Sequence, residues 1–188
     1  MNGSDSEFLK DIVEKAKAGD SEAFSYLYKT YVTPLYRYIY FRVGGKAEAE
    51  DLTQDVFVKA YTSFGSYTYI GTSPLAYFYT IARNAVIDYR RKKKFLITDE
   101  EDALLEVADT SDSPEEEAIK SEFAQEIRLH IAELSEDQQD VITLRFIESL
   151  STKEVSEILG KSEESVRQLQ SRSLRALKIS YLKKNLTH

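Results

Sequence analysis

Six side chains near the C-terminus have the types and spacing that read DNA. Ser165, Arg167, Gln168, Ser171, Arg172 and Arg175 recur so that a helix gathers them on one face. Arg pairs bidentately with guanine and Gln with adenine, while Ser and further Arg hold phosphates. The elements around them must do the positioning. Ser151 with Glu154 forms a capping box that opens one helix, and Val155, Ile158 and Leu159 give it an apolar stripe. Gly160 stands where that helix must stop in a left-handed conformation, which a residue without Cβ adopts most easily. Ser162 caps a second helix, expected to turn Val166, Leu169, Leu174 and Leu177 inward. Helix, tight turn and longer polar-faced helix make the helix-turn-helix pattern. An ordinary helical hairpin with a solvated face has the same spacing, and the residue types on this face favour DNA binding over it.

Two further constellations lie in the N-terminal half. Ser73-Pro74 opens a helix with a capping Ser and Pro at the first position. Leu75, Phe78, Ala82, Ala85 and Tyr89 form its expected buried stripe. Tyr77, Asn84, Asp88 and Arg91 lie opposite, flanked by Tyr79 and Arg90, and the helix runs into Arg90-Arg91-Lys92-Lys93-Lys94. Exposed tyrosine beside a basic run suits single-stranded DNA, where rings stack unpaired bases and cations track phosphates. A basic helix end that complements its own dipole is the other reading. One helix earlier, over about Lys46–Phe64, Leu52, Val56, Phe57 and Ala60 read as buried, leaving Glu50, Asp51, Gln54 and Asp55 outward. That acidic strip is either a solvated face or a contact for a basic protein surface.

Other segments read as helix throughout, so the fold class is all-α. One helix spans residues 6–18 with Phe8, Leu9, Ile12 and Val13 apolar. Asp20 caps the next, which carries Phe24, Leu27, Tyr31, Leu35 and Ile39, and Pro34 predicts a kink or break near Thr33. In the C-terminal half, Ser113 with Glu116 and Ser135 with Gln138 are capping boxes. They precede helices carrying Ile127, Ile131 and Leu134, then Val141, Ile142, Leu144 and Phe146.

A net charge of −7 over 188 residues argues against a simple nucleic-acid binder. The charge is unevenly placed. Residues 1–94 hold 14 Lys+Arg against 11 Asp+Glu, net +3; residues 95–121 hold 1 against 10, net −9; residues 122–188 hold 10 against 11, net −1. Two small helical domains, 1–94 and 122–188, joined by an acidic linker over 95–121, follow from that pattern. Of 22 Phe and Tyr, 18 precede residue 95, so the first domain has aromatic rings beyond what a core needs. The chain has no Cys, and its two histidines, His130 and His188, lack metal-ligand spacing. His130 reads as a helix-surface residue. Carboxylate pairs are helix-surface neighbours and no Gly-rich phosphate loop follows a strand, so no catalytic residue, metal site or cofactor is expected. Without an apolar run of about 20 residues or a signal peptide, a cytoplasmic location and no membrane insertion are expected.

Taken in order, four segments resemble the sigma-70 family of RNA polymerase sigma factors, specifically the extracytoplasmic-function (ECF) type that keeps only regions 2 and 4. AGDSEAFSYLYKTY resembles the start of region 2, and AEDLTQDVFVKAYTSF (Ala49–Phe64) resembles its polymerase-binding helix. PLAYFYTIARNAVIDYRRKKK (Pro74–Lys94) resembles the segment that melts and reads the −10 element. The stretch Ile131–Lys178 resembles region 4. The resemblance implies a transcription initiation factor, not an enzyme, whose partners are core RNA polymerase (the beta prime clamp helices and the beta flap), promoter DNA and an anti-sigma factor. It assigns core-polymerase binding to Asp51, Gln54, Asp55 and Phe57. It assigns −10 DNA to Tyr77, Tyr79, Asn84, Asp88, Arg90 and Arg91, with the 65–73 loop holding a flipped-out base. Ser165, Arg167, Gln168, Ser171, Arg172 and Arg175 fall to the −35 element. Asp55 stands where the family often has Glu, and the recognition helix begins Ser162-Glu163-Glu164, whose carboxylates disfavour nearby phosphates. The competing function is a stand-alone helix-turn-helix regulator with an N-terminal sensing or dimerisation domain, which predicts tight duplex binding without polymerase.

Overall fold

The computed structural model describes residues 3–69, 73–97 and 122–185. The expected acidic linker, the cap at Ser113 and residues 70–72 of the loop before Ser73 lie almost wholly outside that set. Among the described residues there are eight α-helices and no strand: α1 Gly3–Lys17, α2 Ser21–Val43, α3 Lys46–Ser63, α4 Leu75–Ile97, α5 Glu122–Ala132, α6 Glu136–Ile142, α7 Thr152–Leu159 and α8 Glu163–Asn185. None of them is long and apolar enough to cross a membrane. The chain divides into two compact units, Met1–Ile39 with Ala47–Asp102, and Tyr40–Lys46 with Ala103–His188.

In the first unit, helix starts follow the sequence closely. Asp20 Oδ1 accepts from the backbone N–H groups of Glu22 (2.9 Å) and Ala23 (3.1 Å), satisfying donors that the first turn of α2 leaves open. Ser73 Oγ accepts from Leu75 N–H at 3.2 Å before α4. α2 runs continuously past Pro34, so the helix does not break there. Proline forfeits one ladder hydrogen bond, and Tyr31, Leu35, Tyr38 and Ile39, all buried, anchor the helix on both sides of it.

Phe78 is the centre of this unit. It is fully buried, with ring centroids of Tyr31 at 5.2 Å and Phe57 at 5.5 Å, and it also meets Phe24, Phe64 and Tyr77. Edge-on and tilted aromatic packing of this kind adds to simple area burial. The buried side of α4 is wider than the sequence suggested: Phe78, Tyr79, Ala82, Ala85 and Val86 are all inside, while Leu75 and Tyr89 are half-buried. A 3.6-residue period makes i, i+1 and i+4 share a broad stripe, so Tyr79 joins Phe78 instead of flanking the outer face.

The second unit packs around Phe41, Ile131, Leu134 and Ile142, with Ile127, Ile147, Ala176 and Leu177 against them. Ser135 N–H donates to Gln138 Oε1 at 3.1 Å at the start of α6. Arg42 and Asp140 are both fully buried and form an ion pair at 3.1 Å, and the Arg42 guanidinium also donates to Gln139 Oε1. A buried charge left without its partner costs several kcal/mol, so this pair is a strong local constraint. α6 passes into a π-turn over Thr143–Ile147 that leaves Phe146 about half exposed, where an apolar helix position was expected.

His130 corrects another expectation. It is 2% exposed, with Nδ1 2.7 Å from Ser180 Oγ, and Ser180 donates to Glu133 Oε2 at 2.6 Å. Because the serine proton is committed to the carboxylate, Nδ1 is the nitrogen that carries hydrogen in the neutral ring. A partner 50 residues away buries this histidine, which no local pattern announces.

Two outcomes follow for the first unit. Phe78→Ala should lower unfolding free energy by about 3–5 kcal/mol in urea titrations, the usual range for deleting a buried aromatic ring. Burial pushes the Tyr31 phenol above its ordinary value, against the opposing pull of the Ser73 hydrogen bond. A raised folded-state value contributes stability that is complete below the unfolded tyrosine value of about 10 and is lost as pH climbs through the folded one. The urea midpoint should therefore fall less steeply above about pH 10 in Tyr31→Phe than in the unaltered chain; an identical slope would contradict this.

Candidate nucleic-acid interface

The helix pair α7 and α8 is bounded by three short-range devices. Ser151 Oγ accepts from Glu154 N–H at 3.2 Å while Glu154 Oε2 accepts from Ser151 N–H at 2.8 Å, closing the box that starts α7. Gly160 ends it at φ 61° and ψ 33°, with Lys161 N–H reaching back to Ser156 O at 3.0 Å. Ser162 Oγ then accepts from Ser165 N–H at 3.2 Å to start α8. Two helix ends thus satisfy their open backbone groups across three residues.

Behind α8 the seam is Val166 and Ser173, with Leu169, Gln170, Ala176 and Leu177 half-buried. Leu174 was expected inward but is 41% exposed; Ser173 takes the inner place, its hydroxyl donating to Leu169 O at 2.7 Å. The inner positions 166, 169, 173 and 177 keep the helical period, and 174 falls one step of 100° off it. Arg145 Nε donates to Gln170 Oε1 at 3.2 Å and its guanidinium to Leu150 O, which ties the π-turn to the back of α8. Ser165, Arg167, Gln168, Ser171, Arg172 and Arg175 are all exposed on the other side.

In the first unit, Asp51, Gln54 and Asp55 of α3 are exposed at i, i+3 and i+4. Phe57 is not on that face. It is 5% exposed with its ring 4.6 Å from Tyr28, so it supports the strip from beneath. Val58, seven residues after Asp51, is 63% exposed and completes the strip with an apolar group. Sequence reasoning passed over it. A valine one step from a predicted buried pair reads as core unless the stripe is narrow.

On α4, Asn84, Asp88 and Arg91 share one exposed face, with Asp88 Oδ1 3.1 Å from Arg91 Nη2 and Arg90 half-exposed beside them. Tyr77 is half-buried; its Oη lies 2.6 Å from Ser63 Oγ and its ring 5.0 Å from Tyr67. Tyr79 is fully buried, edge-on to Tyr38 at 5.4 Å, and so stands apart from the other five −10 candidates. Lys93 lies 5.8 Å over the Tyr89 ring, a cation–π contact that carries positive charge along the same helix end. No cluster of three metal-ligating side chains occurs among the described residues.

Comparison with known proteins places the chain in a family. The sigma-70 region 2 model matches residues 27–95 and the sigma-70 region 4 model matches residues 130–178. The chain is 38% identical over 174 residues to the ECF RNA polymerase sigma factor BldN of Streptomyces coelicolor, covering 93% of this chain and 66% of that one. It is 34% identical over 163 residues to the ECF RNA polymerase sigma factor SigX of Bacillus subtilis, covering 84% and 82%. The sigma factor RpoE of Bartonella quintana, solved in complex with the anti-sigma factor NepR, has the same fold at a TM-score of 0.69 and 22% identity, covering 84% of this chain and 96% of that one.

A Cβ added at Gly160 meets no atom within 4 Å, so only backbone strain opposes a side chain there. Gly160→Ala should cost about 1–2 kcal/mol in urea unfolding, and Gly160→Asn less, since Asn tolerates the left-handed region. Equal stability of all three chains would show that the turn does not hold this conformation in solution.

Proposed function

The chain belongs to the sigma-70 family as an ECF-type RNA polymerase sigma factor, and we propose that it binds core RNA polymerase and directs initiation at promoters through −10 and −35 elements. Residues 1–94 form the region 2 domain, 95–121 the acidic linker and 122–188 the region 4 domain in this reading. Asp51, Gln54 and Asp55, together with Val58, meet the beta prime clamp helices, and Phe57 supports them from the core. Tyr77, Asn84, Asp88, Arg90 and Arg91 sit at the melted −10 strand, where exposed polar groups and cations suit unpaired DNA. Tyr79 acts from within, holding α4 against α2. The exposed face of α8 reads the −35 element as duplex.

The observation that carries the reading is the exposure of two chemically different faces on one chain. α3 offers an acidic strip with an exposed valine, unsuited to DNA and suited to a protein surface. α8 offers Arg, Gln and Ser, suited to a major groove. A stand-alone repressor needs only the second. The chain performs no bond chemistry of its own and works in the cytoplasm with the polymerase. An anti-sigma factor that covers these faces would hold it inactive; the Bartonella sigma factor of the same fold was solved in complex with the anti-sigma factor NepR.

Mixing the purified chain with sigma-free core polymerase tests the reading by size-exclusion chromatography. The two should co-elute, and Asp51→Arg with Asp55→Arg should abolish co-elution while leaving the urea midpoint unchanged. Co-elution that survives both charge reversals would remove the α3 strip from the interface.

A further inference from the structure

The first two base-reading candidates on α8 already have partners. Arg167 Nη2 donates to Glu163 Oε2 at 3.0 Å, and Nη1 lies 3.5 Å from Glu164 Oε2. Gln168 Nε2 donates to Glu164 Oε1 at 3.2 Å. Further along the same face, Arg172 and Arg175 are exposed and have no ion pair among the described residues. The helix is therefore polarised. Glu163, Glu164 and Arg167 sum to −1, while Arg172, Arg175 and Lys178 sum to +3.

Carboxylates in a first turn favour the helix dipole, and that alone accounts for two glutamates at such a position. Their contacts do more than that. A helix N-terminus ordinarily attracts phosphate through its open N–H groups, and two carboxylates there repel it. Arg167 can exchange its carboxylates for a phosphate only against that repulsion. A guanine edge is neutral, presents O6 and N7 acceptors, and can take the guanidinium N–H groups that the glutamates leave open. Gln168 keeps its carbonyl oxygen and one amide N–H, the pair that adenine N6 and N7 require.

We propose that Glu163 and Glu164 are positioning residues that set the selectivity of the −35 contact. They hold Arg167 and Gln168 for base edges and away from phosphates, and leave backbone anchoring to Arg172 and Arg175. This rests on the reading of α8 as the −35 helix.

The two functions of the glutamates, charge and reach, separate experimentally. Core polymerase carrying the full chain would be used to select from a duplex library randomised across the promoter. Its binding to a random-sequence duplex would be followed against salt. Glu163→Gln with Glu164→Gln should steepen the salt dependence by about 0.9 in log–log slope for each additional phosphate that the helix neutralises. It should also weaken preference at the −35 bases by about fivefold or more, the lower end of what one bidentate base contact supplies. Glu163→Asp with Glu164→Asp keeps the charge and the dipole but shortens both side chains by a methylene. It should leave the slope unchanged and still weaken the base preference. Both double variants are checked for an unaltered urea midpoint. Wild-type slope and preference in both variants would overturn the proposal while leaving the −35 reading standing. No −35 preference in the unaltered holoenzyme would overturn both.

Discussion

Gly160 imposes the constraint on which the exposed polar face of α8 depends. An α-helix of eight residues, Thr152–Leu159, must end and a long one must begin within the span Gly160-Lys161-Ser162. That is possible only where one residue turns left-handed and where side chains replace the backbone partners each helix end lacks. At the turn the Ser156 backbone carbonyl accepts from Lys161 N–H and Ser162 Oγ accepts from Ser165 N–H, while Ser151 and Glu154 close the other end of Thr152–Leu159. The turn is local, yet it decides which side of α8 faces outward. Val166 and Ser173 pack inward only when the helix leaves Gly160 at this angle, and every exposed Arg and Gln follows from that.

The N-terminal unit reaches a comparable result by different means. Its helices meet through rings, with Phe78 touching partners on α2 and α3 as well as its own neighbours. Burying Phe57 and Tyr79 beneath the two outer faces frees Asp51, Gln54 and Asp55 on one helix, and Asn84, Asp88 and Arg91 on another. The aromatic surplus of this half is thus largely structural. It spaces and orients polar faces, and only Tyr77 among the candidate tyrosines keeps its ring partly accessible.

What could be read from the residues alone was whatever is decided within a turn or two of helix. The boxes at Ser151 and Ser135, the cap at Asp20 and the stop at Gly160 all depend on neighbours in sequence, and all are present. What escaped depends on distant partners. His130 is buried because Ser180 meets it, and Arg42 because Asp140 does. Pro34 is tolerated because packing on both sides outweighs one missing hydrogen bond. Ser173 displaced Leu174, and Tyr79 joined the core, because a helix period fixes the inner side more strictly than hydrophobicity does. The outer face of α8 was legible for the same reason: its polar residues share a period.

Net charge sets a last constraint. A chain of net −7 that binds DNA tightly by itself would be at odds with its own field, whereas a factor that meets promoter DNA as part of a polymerase has no such need. Reconstituted transcription tests that dependence most directly. Core polymerase with and without the chain would transcribe fragmented genomic DNA from the native cell, and the 5′ ends of the transcripts would be mapped. Start sites that appear only with the chain, and that share two upstream sequence elements at one spacing, are the predicted result. Transcripts that begin at unrelated sequences, or equal output without the chain, would contradict it.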